Sequence, residues 1–320
     1  MKDQPRAEIR WSDRRLRSGY LAIAMVALAG LVLLPRVMTN GDEYIYAGEA
    51  RMLTHGRLLP VAGDPLPSTH SGDFEGPRYP PGWPLLLALG APLGFRAMFA
   101  VALAMHLVGG AATSRMAVRR GLPSVLAAVW LVHPLFWSFS RTLMSDLPSA
   151  ALLLVAMDAW ENHSVGRSAV AVGYSFLMRV ASFTQVTGFA IAIAGDLRHR
   201  WRALATMALG AFCGTGALLL VNRLKYGHPW HSPYAFNNLR LLTTAMVKQN
   251  LVIYLLGLLL IPPFPLLWLV IRRRSCDRWA LVLFPSYYSS SSMVTVSVHW
   301  ALSATSSMAN DSYWRHTPPC

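Results

Sequence analysis

Long apolar runs separated by short basic connectors organise this chain. The first run, Tyr20 to Met38, has no charge before Arg36, and about 20 mostly apolar residues suffice for a helix across the hydrocarbon layer of a membrane. Further runs follow at about Phe95 to Thr113, Pro123 to Phe139, Leu147 to Trp160, Ala169 to Ala194, Ala203 to Val221, Leu251 to Ile271 and Trp279 to about Tyr288. The pattern predicts an all-α polytopic membrane protein, a bundle of roughly 8–9 transmembrane helices with a long first external loop over 39–82. A basic, cytoplasmic N-terminus (1–19) precedes the membrane domain (20–288), and a polar tail (289–320) follows it.

The connectors orient the runs. Lys2, Arg6, Arg10, Arg14, Arg15 and Arg17 precede the first run, and no small-residue cleavage site follows it, so the run reads as an uncleaved span with its N-terminus inside. The loop Thr39 to Gly82 carries six acids, Asp42, Glu43, Glu49, Asp64, Asp73 and Glu75, against three arginines, which places it outside. Arg115, Arg119 and Arg120 then fall inside, Arg141 to Ser145 outside, and Arg198, Arg200, Arg202 and Arg272 to Arg274 inside. This parity holds only if the run Ala169 to Ala194 enters and leaves by one face. Its 26 residues are too few for two full spans. Arg179, Ser182, Thr184 and Gln185 interrupt it, so two short helices meeting near Arg179 are expected, a break tolerated only where protein or a watery cavity covers it. No internal repeat of the kind inverted-repeat transporters carry is visible.

Composition agrees with this map. The chain is 54% hydrophobic and 14% charged, far too apolar for a water-soluble enzyme of 320 residues. The net charge of +14 sits in clusters between apolar runs rather than on one exposed face, which argues against nucleic acid. Cys213, Cys276 and Cys320 are too far apart for a disulfide framework or a CxxC knuckle.

Three stretches carry candidate chemistry, all on the external side. The first is Gly41-Asp42-Glu43-Tyr44-Ile45-Tyr46-Ala47-Gly48-Glu49-Ala50-Arg51-Met52-Leu53, where two adjacent carboxylates stand as the first span ends. A helix over 43–53 would put Tyr46, Ala50 and Leu53 on one face. A partly desolvated carboxylate held beside a hydroxyl can act as a general base; equally, Asp42 can simply cap the helix. The second is Phe74-Glu75-Gly76-Pro77-Arg78-Tyr79-Pro80-Pro81-Gly82-Trp83-Pro84, whose prolines preset an extended approach to the following helix and whose Tyr and Trp suit interfacial anchoring. The third is Arg141-Thr142-Leu143-Met144-Ser145-Asp146-Leu147-Pro148, which also reads as a helix start with Ser145 or Asp146 capping and Pro148 in the first turn. His228 and His231 are two apart and share no helix face, which argues against a metal centre.

Taken in order, D-E-x-x-Y-A, Y-P-P-G-W-P-L-L-L-A and S-D-L-P-S-A-A-L-L resemble the GT-C class of membrane glycosyltransferases. The similarity is to its bacterial protein mannosyltransferases, lipid A aminoarabinose transferase and lipopolysaccharide-core galacturonosyltransferases. Asn222-Arg223-Leu224-Lys225-Tyr226-Gly227-His228-Pro229 is similar to that family's N-x-x-x-F/Y-G-x-P element, and the likeness spans about residues 18 to 285. The family's T-R-P element is matched loosely at Arg179, where Val180 replaces the proline.

The resemblance implies transfer of a sugar from a polyprenyl-phosphate carrier to a hydroxyl on a glycan, lipid or protein acceptor, at the outer face of a bacterial plasma membrane. Carried over by position, Asp42 is the catalytic base and Glu43 positions donor or acceptor. Tyr46, Arg78, Tyr79, Arg141, Asp146 and Arg179 bind substrate. The leaving phosphate needs charge neutralisation, which an arginine fork supplies; Arg223 and Arg240 are further candidates, and each such arginine otherwise snorkels to headgroups. Metal dependence is left open by the resemblance: the two external carboxylates suit weak binding of Mg²⁺ or Mn²⁺.

After Pro285 the chain departs from the family. Ser286-Tyr287-Tyr288-Ser289-Ser290-Ser291-Ser292 opens a Ser- and Thr-rich stretch in place of further spans. Read one frame over, with TCN serine and CGN arginine codons, Met308 to Arg315 becomes G-[KEQ]-R-[LF]-[LIV]-L-A, similar to the family's G-x-R-Y/L-L-L-P segment. A frameshifted or truncated C-terminus is therefore expected, against a polar surface tail. Two other classes compete with an enzyme: a transporter or lipid-sugar flippase, for which Arg179 would line an anionic path, and an inactive truncated homologue. Transporters place ionisable groups mid-span, whereas Asp42, Glu43 and Asp146 share one external boundary.

Overall fold

The computed structural model describes residues 14–39, 41–59, 79–179, 182, 186 and 201–230, which are helical and contain no strand. All lie in the first of two compact units, Met1–Phe236. The runs at 251–271 and 279–288 and the tail 289–320 fall outside the described residues. The helices are α1 (Arg17–Val32), α2 (Gly41–Thr54), α3 (Gly82–Leu87), α4 (Phe95–Arg119), α5 (Ala127–Val132), α6 (Pro134–Phe139), α7 (Asp146–Glu161), α8 (Val165–Met178) and α9 (Trp201–Tyr226).

Two of these, α4 with 25 residues and α9 with 26, are long and apolar enough to cross a membrane. At 1.5 Å per residue each spans more than the roughly 30 Å hydrocarbon core. The first run is cut shorter than its hydropathy suggests. Its helix stops at Val32, with the Leu33 amide bonding Ala29 at 2.9 Å, because Pro35 has no amide to donate and disfavours helix in the residue before it. The run Pro123 to Phe139 is not one helix either. A 3-10 turn at Ser124–Leu126 leads into α5, and His133 is extended (φ −60°, ψ 125°) before Pro134 opens α6. The same proline rule explains that break.

Side-chain contacts sort the helix termini onto two ends. At the first end, Ser18 of α1 meets Ser124 with 2.9 Å between their hydroxyls, and the Gly19 amide bonds the Ser124 hydroxyl at 3.0 Å. The C-termini of α4 and α7 are tied there by buried ion pairs. Arg115 Nε donates to Asp158 at 2.7 Å, Arg119 pairs with Asp158 and Glu161, and Arg120 reaches Glu161 at 2.6 Å. These arginines are thus ion-paired with two acids of α7 and do more than mark a face.

α8 and α9 cross at glycines. A Cβ built on Gly210 would lie 2.7 Å from the carbonyl carbon of Ala169, and one on Gly214 2.7 Å from that of Gly173. Positions 169 and 173 therefore match 210 and 214, and the two helices run parallel. Both start at the first end and finish at the second, as required if the run Ala169 to Ala194 enters and leaves by one face. Gly210 and Gly214 form a G-x-x-x-G pair, whose lack of side chains lets two helix backbones approach in an apolar medium.

A leucine at Gly214 is expected to force the helices apart and cost about 1–3 kcal/mol. At Gly216, which has nothing within 4 Å among the described residues, the same change should stay within about 0.5 kcal/mol of wild type or improve on it. Thermal unfolding of the detergent-solubilised protein, followed by tryptophan fluorescence, checks both; equal losses would rule out the crossing.

Candidate functional site

The second end gathers the stretches singled out by chemistry. α2 begins almost at once after α1, and its first turn holds Asp42 and Glu43, where carboxylates are favoured by the helix dipole. Asp42, Tyr46 and Glu49 follow each other at i, i+4 and i+7, so one face of α2 carries two carboxylates and a phenol. Asp42 is half-buried, while Glu43, Tyr46 and Glu49 are at most 3% exposed. Ala50 is buried on the same side and Leu53 half-buried, as the expected helix face requires.

Glu43 is a bridge between chain segments. Its Oε1 accepts from the Thr39 hydroxyl at 3.1 Å and the Thr39 amide at 3.4 Å, and its Oε2 accepts from the Leu143 amide at 3.4 Å. It thereby holds the α1–α2 link against the loop before α7. The Tyr46 hydroxyl lies 3.0 Å from Ser145 Oγ, and its ring stacks on Tyr79 with centroids 4.4 Å apart and planes at 24°. The Tyr79 amide donates to Glu49 Oε1 at 3.3 Å, and Lys225 Nζ reaches Glu49 Oε2 at 3.3 Å.

The proline-rich stretch arrives at Pro81, starts α3 at Gly82 and buries Trp83 completely. Trp83 Nε1 donates to the Leu143 carbonyl at 2.6 Å. Tyr79 is 7% exposed, so neither ring is the interfacial anchor that the pattern suggested; both form the floor of this end. Gly82 is fixed by the close approach of α8. A Cβ there would sit 2.6 Å from the Leu177 carbonyl carbon, and the Tyr174 hydroxyl bonds the Gly82 carbonyl at 2.9 Å.

At the start of α7, Ser145 and Asp146 do not cap. The helix has no side-chain cap bond, because Ser145 faces Tyr46 and Asp146 is spent on Arg179. Asp146 is 1% exposed; Oδ1 accepts from Arg179 Nη1, and the buried Oδ2 has no hydrogen-bond partner among the described residues. α8 ends at Met178, and Arg179 is extended at φ −158°, ψ 128°. α8 stops where the polar interruption predicted and Arg179 is aimed at α7, while the second short helix expected there lies largely outside the described residues.

Of the candidate residues, Glu43, Tyr46, Tyr79, Asp146 and Arg179 thus share one end, with Asp42 beside Glu43. Arg141 is exposed near that end on the loop between α6 and α7. Arg78, Arg240 and His231 lie outside the described residues. Arg223 is exposed on the last turn of α9, so the buried cation of that element is Lys225. Glu49 and Lys225 were not foreseen as site residues. The signal for Glu49 was available: an acid at i+3 from Tyr46, set among Ala47, Gly48 and Ala50. Among the described residues no three His, Cys, Asp or Glu side chains come together in a way that would hold a metal ion.

Comparison with family models, with curated proteins and with solved structures finds no match.

Proposed function

We propose that this protein is a polytopic, GT-C-like glycosyltransferase of the plasma membrane. It moves a sugar from a polyprenyl-phosphate donor to a hydroxyl acceptor at the outer face, and Asp42 is the general base. In this reading the second end faces outward and the basic first end faces the cytoplasm. The exposed apolar side chains of α1 (Leu21, Met25, Leu28, Leu31) and α9 (Leu204, Leu209, Phe212, Leu220) face lipid, and the remaining apolar runs complete a bundle of roughly 8–9 spans.

The observation that carries the reading is a convergence. Four stretches far apart in sequence, each quoted for the resemblance, meet at one end through Glu43–Leu143, Tyr46–Ser145, Tyr46–Tyr79, Glu49–Tyr79 and Glu49–Lys225. A hydroxyl nucleophile needs a base within hydrogen-bond reach; Asp42 offers one at a half-buried position. The leaving phosphate needs positive charge without protonation, and Arg179 and Arg141 lie on this end to supply it. A transporter would place such groups along a path through the bundle, not at one boundary.

The test is transfer of radiolabelled sugar from polyprenyl-phosphate-linked donors to lipid, glycan and protein acceptors by purified protein in nanodiscs. Labelled product that depends on the protein is expected. Movement of the intact donor across the bilayer without product would replace the proposal with a flippase.

A further inference from the structure

We infer that the buried Glu49–Lys225 pair is a positioning latch. It fixes the helix bearing Asp42 and the Tyr46–Tyr79 floor to the end of α9. The inference rests on the transfer reading above for its catalytic meaning, and on geometry alone for its structural one.

Glu49 touches two segments distant in sequence, with Oε1 on the Tyr79 amide and Oε2 on Lys225 Nζ, each at 3.3 Å. Its side chain is 2% exposed and that of Lys225 4%. A lysine on the last turn of a membrane helix normally stretches its ammonium toward water or headgroups; Lys225 turns inward instead. The local backbone supports that direction. α9 stops at Tyr226 because Gly227 takes φ +74° and closes the turn on the Arg223 carbonyl at 2.9 Å, while Asn222 Nδ2 bonds the Pro229 carbonyl at 3.2 Å. A residue with a side chain adopts that φ only with strain. The turn therefore holds Lys225 facing α2, and Arg57, Leu58 and Pro81 line a surface pocket beside the pair.

Glu49 and Asp42 are two helical turns apart on one face of α2, so the register of Glu49 against Lys225 sets where Asp42 stands. Between them, the Tyr46 ring carries the same constraint to Tyr79, whose amide Glu49 also holds. Neither Glu49 nor Lys225 acts on the reacting atoms; both act through the placement of α2. Buried charges cost more to hold than apolar residues of like volume, and losing one partner leaves the other uncompensated. Single substitutions should therefore loosen these segments first.

The experiment uses the full chain in nanodiscs, comparing Lys225→Met, Glu49→Gln and Lys225→Arg by hydrogen exchange and by sugar transfer. Exchange should rise about tenfold or more in peptides covering α2 and 79–87 for Lys225→Met and Glu49→Gln, with α4 unchanged, and Lys225→Arg should restore much of the protection. Transfer should fall tenfold or more in kcat, with KM for a polyprenyl-phosphate sugar within about twofold, a split that positioning rather than binding predicts. Unchanged exchange in α2, a uniform rise across the protein, or wild-type kcat in both single variants would overturn the latch. If the wild-type protein transfers no sugar yet the exchange pattern appears, the latch stands and the transferase reading falls.

Discussion

Asp42→Asn is expected to lower sugar transfer by at least about 100-fold while leaving the protein folded. General acid–base catalysis contributes about 10²–10⁴ in rate, and an amide cannot accept the proton from the attacking hydroxyl. The fold should survive because the change is isosteric and Asp42 sits in the first turn of α2, half-buried. Losing a carboxylate there weakens the interaction with the helix dipole by about 0.3–1 kcal/mol, and an amide oxygen still accepts from the helix amides. The two roles of this aspartate therefore separate: a cap would lose little in either readout, whereas a base would lose activity and keep stability. Initial rates with saturating donor, measured beside thermal unfolding of the same preparations, distinguish them. A variant with full activity would remove Asp42 from the chemistry, and Glu43, beside it, would be the next carboxylate to test.

The helices were legible where apolar runs are long and unbroken, as in α4 and α9, because burial or lipid exposure of a whole helix leaves no competing signal. The break at Arg179 was legible for the converse reason, four polar side chains inside an apolar run. The proline-cut helices were misjudged from hydropathy alone: Pro35 and Pro134 shorten or divide segments whose composition stays apolar. Length by apolar count overestimates a helix when a proline lies within it.

The site was partly legible. Asp42, Glu43, Tyr46, Tyr79 and Asp146 were marked by the external stretches and Arg179 by the interruption of an apolar run, and the structure puts them at one end. What local pattern does not carry is which partner a side chain takes. Ser145 and Asp146 stand where caps stand, yet Tyr46 and Arg179, 99 and 33 residues away, claim them. Tyr79 and Trp83 have the letters of an interfacial belt but are buried by α2 and the loop before α7. Arg115, Arg119 and Arg120 read as topology signals, and only the fold reveals Asp158 and Glu161 against them. In each case a tertiary contact takes the side chain in place of the local one, and for Asp146 and the arginines of α4 that contact is a charged pair in a poorly hydrated interior.

Arg179→Ala should be the most destabilising single change at this end, at about 3–5 kcal/mol, the range for removing one partner of a buried ion pair. Asp146 is 1% exposed, and among the described residues one of its oxygens already lacks a partner. Without the guanidinium the whole carboxylate would be left uncompensated. Arg179→Lys keeps the charge but not the planar fork, so an intermediate loss is expected. Asp146→Leu combined with Arg179→Met replaces the pair by apolar groups and should recover most of the stability, since buried pairs and apolar replacements are often nearly equivalent. A double-mutant cycle on unfolding free energies checks this, and a coupling below about 0.5 kcal/mol would mean that the pair does not hold the α8 break against α7. Recovery of stability without recovery of transfer in the double variant would assign the pair to the donor phosphate or the sugar; recovery of both would make it a structural tie alone.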